Sequence, residues 1–205
     1  MIVRDMSDAH PVRAQKAELR AELLRARRGL TPDERKAASA ALRKRVREMP
    51  ELANGGTAAA YMSMGSEPGT RGIVEDMLEA GIRLLLPVLR SDNDLDWAEY
   101  QGHSRLERTQ RGLLEPTGER LGPQAISQAR TILLPGLAVD SSGVRLGRGG
   151  GSYDRVLNRL KETSSHPSLV VLLYEHEVID AVPRERHDHC VHAAVTPSAV
   201  RRFVS

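Results

Sequence analysis

The sequence predicts an α/β protein: a single three-layer α/β/α domain with a mostly parallel central sheet and a glycine-rich, phosphate-binding strand–loop–helix. Three observations carry that prediction. Segments with apolar residues at helical spacing alternate with short apolar runs of strand length along the whole chain. The runs at 131–134 (TILL) and 169–174 (LVVLLY) are apolar at consecutive positions, as in strands covered on both faces. No internal repeat, low-complexity tract or linker divides the 205 residues, a length that suits one sizeable core.

Residues 1–12 show no periodicity and read as a flexible tail, which leaves 13–205 as the domain. Over 13–29, Leu19, Leu23 and Leu24 fall on one helical face, and Gly29 stops the helix. Lys16 and Arg20 lie one turn apart there, so their heads can converge on one anion. Thr31, Pro32, Asp33 and Glu34 form a capping box that starts a second helix, running to about Met49 and ending at Pro50. Residues 57–63 read as a strand and 71–80 as a helix closed by Gly81. The apolar run 83–89 reads as a buried strand that ends near Pro87, and 96–100 as a short strand holding Trp97 and Tyr100. A short helix at 123–129 precedes the strand at 131–134. Tyr153, Val156, Leu157 and Leu160 then mark one face of another helix. Past the strand at 169–174, residues 191–196 read as a strand, and Thr196 and Pro197 as the cap of a last helix.

Composition narrows the function classes. With one Trp, one Phe and four Tyr, the core must be built from Leu, Val, Ile and Ala. A single cysteine, Cys190, excludes an intrachain disulfide and fits a reducing compartment. No apolar run resembles a signal peptide or is long enough to span a bilayer, so a cytoplasmic location is expected. A net charge of +3 and a pI near 9.3 suit a polyanionic small substrate without demanding nucleic acid. A nucleic-acid footprint on the arginine-rich N-terminal helices is an alternative, but no aromatic platform interleaves with those charges.

The chemistry concentrates between the strand at 131–134 and the helix at 153–160. Gly147, Arg148, Gly149, Gly150 and Gly151 leave backbone N–H groups uncovered beside a helix N-terminus, a ready site for phosphate oxygens. Arg145 and Arg148 can add charge-assisted hydrogen bonds to the same anion. Neither standard nucleotide fingerprint is present. No Lys-Ser or Lys-Thr follows the glycines, and the third glycine of GxGxxG would fall on Ser152. Near the C-terminus, His187, His189, His192 and Cys190 raise the thought of zinc. In an extended segment they point to alternate faces, however, and no second ligand pair exists.

The stretch at 135–157, PGLAVDSSGVRLGRGGGSYDRVL, resembles the C-terminal signature of the 5-formyltetrahydrofolate cyclo-ligase family, also called 5,10-methenyltetrahydrofolate synthetases. That signature reads P-G-[LV]-A-F-D-x-x-G-x-R-L-G-x-G-x-G-Y-Y-D-R. Pro135, Gly136, Leu137, Ala138, Asp140, Gly143, Arg145, Leu146, Gly147, Gly149, Gly151, Tyr153, Asp154 and Arg155 all fit it. Val139 replaces an aromatic residue, and Ser152 stands where the first of two tyrosines does and lacks its ring. Shorter similarities accompany it: K-x-x-[LI]-R at Lys16, Leu19 and Arg20, S-x-x-x-E-[PV]-x-T ending at Thr70, a loose G-I-x-E-P at 112–116, and P-x-[ED]-x-H-D at Pro183, Glu185, His187 and Asp188.

The resemblance implies an ATP- and Mg2+-dependent ligase that cyclises 5-formyltetrahydrofolate to 5,10-methenyltetrahydrofolate; separately from the resemblance, a monomer is expected, a point that the sequence itself does not establish. It implies ATP contacts from Lys16, Arg20, Arg145, Leu146, Gly147, Arg148, Gly149, Gly150, Gly151, Ser152 and Tyr153. It assigns the folate pocket to Met62, Glu67 and Tyr153, and the catalytic roles to Arg148 and Tyr153. Asp154 and Asp188 are the candidate oxygen ligands for magnesium. The alternative on the same framework is an ATP- or phosphate-binding protein with another small-molecule substrate.

Overall fold

The computed structural model describes residues 9–53, 55–185 and 188–203. Helix α1 spans Ala9–Gly29, starting four residues before the predicted helix at 13. Pro11 disguised that start, yet proline is tolerated in a first turn, where its missing N–H would have no partner. The rest of the expected tail, 1–8, lies outside the described residues. Helix α2 (Pro32–Arg47) opens on the predicted capping box: Glu34 N donates to Thr31 Oγ1 at 3.2 Å, and Thr31 N donates to Glu34 Oε2 at 2.7 Å. Pro50 does not merely end that helix but opens a short one, α3 (Pro50–Ala53).

Strand β1 covers only Thr57–Ala59, shorter than the run to 63. Past Ala60, whose N still donates to Leu85 O at 3.0 Å, the segment is held by a side chain. Thr70 Oγ1 donates to Tyr61 O at 2.6 Å and accepts from Ser63 N at 2.9 Å. Helix α4 (Arg71–Glu79) follows, then β2 (Arg83–Leu89) and β3 (Leu95–Glu99). Strand β2 runs straight through Pro87, against expectation. Its hydrogen-bonded pairs with β3 alternate from Leu84–Tyr100, so position 87 points its backbone nitrogen away from β3. On that other side β1 has already ended, its last pair being Ala59 with Leu85. No ladder bond is lost there.

A hairpin of β4 (Leu106–Arg108) and β5 (Leu114–Pro116) was not legible in the sequence. The expected short helix is a 3-10 turn at Pro123–Gln128. After β6 (Thr131–Pro135), a hairpin of two-residue strands, β7 (Ala138–Val139) and β8 (Arg145–Leu146), leads to the glycine run and α5 (Ser152–Lys161). Strands β9 (Ser168–Leu172), β10 (Ala193–Val195) and β11 (Val200–Arg202) complete the chain. The last helix predicted after Thr196 and Pro197 is therefore wrong. Thr196 Oγ1 accepts from Ala199 N at 3.2 Å, closing a tight turn that pairs Val195 with Val200 in an antiparallel hairpin.

The seven-stranded sheet has the order β11-β10-β9-β6-β1-β2-β3. Its five inner strands are parallel and the two edge strands antiparallel, as a largely parallel α/β sheet requires. Leu84 and Leu86 face α2 and α4, packing with Leu42, Val46, Ile73 and Val74. Leu85 faces the other way, packing with Ile126, Val156, Leu157 and Leu160. Helices thus cover both faces. A third cluster sets α1 on the β7–β8 hairpin, where Leu23 meets Leu137, Ala138, Val144, Leu146 and Val182. Among the described residues no helix is long and apolar enough to cross a membrane.

One glycine fixes how closely β6 and β9 continue past their last pair. A Cβ on Gly136 would lie 2.5 Å from Val171 Cγ2, inside a packed layer. Gly136→Ala is expected to destabilise the fold by about 1–3 kcal/mol, the cost of overpacking a core. A denaturant midpoint indistinguishable from that of the parent would show that this layer can relax.

Candidate active site

Helix α1 presents a basic stripe to the C-terminal ends of the sheet strands, where ligands of open α/β sheets bind. Lys16, Arg20, Leu23 and Arg27 recur at spacings of four and three residues and so share one face. Lys16 is buried, and its ammonium donates to Glu185 Oε2 (2.8 Å) and to both oxygens of Asp188 (2.8 and 2.7 Å). Arg20 Nε donates to Gly147 O at 2.8 Å, which ties the helix to the glycine run. Arg27 is fully buried in a fork with Glu177, also fully buried.

The loop itself turns through left-handed backbone at Gly149 (φ 91°) and Gly151 (φ 76°), conformations that favour glycine. Gly151 is the N-cap of α5, whose first-turn N–H groups have no intrahelical acceptor. Arg145 braces the loop from below, donating through Nη1 to Pro135 O and through Nη2 to Asp154 Oδ1, both at 2.9 Å. Burial lowers its pKa, and Asp154 works against that shift. Arg145 is thus directed at the protein, whereas Arg148 is half exposed and reaches across the opening, its Nη1 donating to Glu67 Oε1 at 3.2 Å.

Between the loop and the β1–α4 segment lies a cavity of about 260 Å3. The loop residues 147–152, Tyr153 and Asp154 form one wall, and Tyr61, Met62 and Glu67 the other. The second oxygen of Glu67 accepts Met64 N at 2.8 Å, so its carboxylate is fixed at the seam. Among the described residues the Tyr61 and Tyr153 hydroxyls are buried without a protein partner, and burial raises the pKa of both, so both are neutral donors. Two orphaned hydroxyls in a cavity wall leave polar positions for a ligand to satisfy. Glu115 completes the far end, its Oε1 accepting Leu89 N at 2.9 Å.

The structure therefore brings Met62, Glu67, Arg145, the 147–152 run, Tyr153 and Asp154 to one cavity. Lys16, Arg20, Leu146 and Asp188 stand outside its wall. Leu146 belongs to the core cluster under α1, and Lys16 and Asp188 are paired with each other. His187 lies outside the described residues. The histidines beside it are separately engaged. His189 Nε2 lies 3.0 Å from Asn158 Oδ1, and His192 Nδ1 accepts Leu169 N at 2.9 Å. Burial and the nearby Lys161 charge push His189 down to about 4, so it is neutral near pH 7. Among the described residues no cluster of three His, Cys, Asp or Glu is placed to hold a metal. Sequence reasoning missed Tyr61 and Glu115 as wall residues, although both lie inside motifs that it quoted or adjoined.

The chain is similar to known proteins over nearly its whole length. The model of the 5-formyltetrahydrofolate cyclo-ligase family matches residues 12–197. A 5-formyltetrahydrofolate cyclo-ligase of Mycolicibacterium smegmatis is 37% identical over 187 residues, covering 89% of this chain and 93% of that protein. Its Escherichia coli K12 counterpart is 30% identical, covering 85% and 96%. The NMR structure of Aquifex aeolicus 5,10-methenyltetrahydrofolate synthetase superposes with a TM-score of 0.79 at 29% identity, covering 93% of both chains. A Mycoplasma pneumoniae synthetase shares the fold, with a TM-score of 0.70 at 18% identity, covering 89% of this chain and 98% of that one. With the match spanning nearly the whole chain, the protein belongs to the 5-formyltetrahydrofolate cyclo-ligase family, a family of ATP-dependent ligases that cyclise a folate.

Proposed function

We propose that the chain converts 5-formyltetrahydrofolate and ATP to 5,10-methenyltetrahydrofolate, ADP and phosphate in the cavity between the glycine loop and Glu67. The observation that carries this reading is the two-sided wall. One side offers helix N–H groups, the half-exposed Arg148 and the neutral Tyr153 hydroxyl, and the other offers a fixed carboxylate and the neutral Tyr61 hydroxyl. The first set suits a triphosphate and the second a pterin, whose ring N–H groups need acceptors and whose carbonyl needs a donor.

In this reading the formyl oxygen attacks the γ-phosphorus and ADP leaves. N10 then attacks the formyl carbon and gives up its proton, and the ring closes as phosphate departs with the former formyl oxygen. Such phosphoryl transfer needs positioning and charge stabilisation more than covalent help from the protein. The N–H groups of the loop and of the first turn of α5 hold the phosphates, with Lys16 and Arg20 behind them. Arg148 moves from Glu67 to the γ-phosphate, where charge shifts as transfer proceeds. Tyr153 stands at the boundary of the two substrates, and Glu67 with Met62 orients the pterin. Arg145 acts from beneath by holding Pro135 and Asp154 in place.

Magnesium fits through Asp154, whose carboxylate is half exposed and has one oxygen outside the Arg145 bond. Magnesium is commonly held by one or two carboxylates plus substrate phosphates, and when bound it neutralises phosphate charge. Asp188 would join only after yielding its Lys16 pair, since Lys16 takes both its oxygens and Glu185 N shares one at 2.7 Å.

The test is the appearance of methenyltetrahydrofolate absorbance from 5-formyltetrahydrofolate with and without Mg-ATP. Product that depends on ATP is the expected result. ATP binding without product would turn the site over to another acceptor, a reading that the loss of a tyrosine ring at Ser152 would then favour.

A further inference from the structure

A charged pair inside the protein, remote in sequence from the motifs above, bears on the phosphate site. Arg27 and Glu177 are both fully buried. Arg27 Nε donates to Glu177 Oε1 at 2.5 Å, and its Nη2 donates to Glu177 Oε2 at 2.9 Å and to Gly136 O at 2.5 Å. Glu177 Oε2 also accepts Tyr174 N at 2.9 Å, and the guanidinium lies 5.7 Å from the centre of the Tyr174 ring. Burial alone opposes the Arg27 charge, but the Glu177 bonds and charge hold its pKa above the ordinary value.

Stability does not account for such a pair. Desolvating two charges costs about as much as their attraction returns, and apolar residues of similar volume commonly do as well or better. What a buried fork supplies is geometry, since it can close in only one register. Here it closes on the C-terminal ends of two neighbouring parallel strands. Gly136 follows β6 and Tyr174 follows β9 by two residues, and the strands are paired through Pro135 and Leu172. The carbonyl next to Gly136, that of Pro135, is the one that Arg145 grips while holding Asp154. On α1, Arg20 lies seven residues before Arg27 and Lys16 eleven, two and three turns along the same face. Between Arg20 and Arg27 the core cluster is met by Leu23, which is buried, and by Leu24, which is partly buried, and such apolar contacts set direction less strictly than a two-point charged fork.

We infer that Arg27 and Glu177 are a positioning pair that fixes the axial register of α1, so that Arg20 meets Gly147 and Lys16 meets Glu185 and Asp188. The inference rests on the phosphate-site reading above. Neither residue touches substrate. Their effect reaches ATP through Lys16 and Arg20, and a helix misplaced by about an ångström at a reacting site can cost up to ~100-fold.

The double variant Arg27→Met with Glu177→Gln removes both charges together, keeps an acceptor for Tyr174 N, and leaves no buried charge unpaired. Dissociation constants for Mg-ATP alone and for 5-formyltetrahydrofolate alone are measured by calorimetry on parent and variant, beside their melting temperatures. The expected result is a folded variant with roughly tenfold weaker ATP binding and folate binding within about twofold. Arg27→Lys, which keeps the charge but not the fork, is expected to move the same way and decides the matter if the double variant does not fold. ATP binding within about twofold of the parent in a folded variant, or equal loss of both ligands, would overturn the positioning role. A parent that binds no ATP at all would instead remove the phosphate-site reading, and the inference with it.

Discussion

Arg148→Ala is expected to lower kcat/KM for ATP by roughly 10²–10³-fold, while 5-formyltetrahydrofolate binding changes by no more than a few fold. The asymmetry follows from where Arg148 stands. Its guanidinium is half exposed, and among the described residues it is anchored at one point, to Glu67 Oε1, so the fold depends little on it. Arg145 is the opposite case: its side chain is almost wholly buried, and it holds a backbone carbonyl and a carboxylate. Glu67 keeps its Met64 N bond when Arg148 is removed, so the folate wall stays in place. Charge-assisted contacts to a transferring phosphoryl group are worth more in the transition state than in the ground state, so kcat should fall along with ATP affinity. Arg148→Lys should recover part of the loss, because a point charge lacks the guanidinium's paired donors. Steady-state rates with each substrate varied in turn, together with separate binding titrations, measure the split. Equal loss of ATP and folate binding would place Arg148 in the structure of the mouth and outside the chemistry.

The features legible in the sequence are those whose cause is local. The glycine run, the capping box at Thr31 and the consecutive apolar strands each carry their physical reason within a few residues. The sheet was legible as mostly parallel because strand-length apolar runs alternate with helical segments, and consecutive apolar residues such as Leu133 and Leu134 must find partners on opposite faces. The misses have physical causes too. Thr196 and Pro197 look like a helix cap, but the same two residues also suit the tight turn that folds β11 back on β10. Strands of two residues, such as β7 and β8, show no periodicity. In the site, loop residues announced themselves, whereas their supports did not. Lys16 reads as a free cation until Asp188 is found against it, and Arg27 meets Glu177 across 150 residues of sequence. A buried hydroxyl without a partner, like that of Tyr61, is invisible without coordinates.

Asp154→Asn should separate two roles that one carboxylate fills. Asparagine keeps an oxygen for Arg145 Nη2, so the bond survives while its charge assistance is lost. Asp154 is about half exposed and water screens the pair, so the expected loss of stability is only about 1 kcal/mol. The catalytic effect should be much larger. Magnesium binds carboxylate oxygens in preference to amide oxygen when few protein ligands are available, so the half-saturating Mg2+ concentration at fixed ATP should rise about tenfold. At any single Mg2+ concentration below saturation the rate should fall by roughly 10–100-fold, and added Mg2+ should restore part of it. Rates across a magnesium series, set beside thermal melts of parent and variant, read the two roles independently. If the variant loses activity with an unchanged magnesium dependence and a lowered melting temperature, Asp154 serves only to balance the buried Arg145. The metal would then have to be sought at Asp188, where it must first displace Lys16. The corresponding test, Lys16→Met, would then lower rather than raise the magnesium requirement, because it frees Asp188 Oδ1 and leaves Oδ2 bonded to Glu185 N.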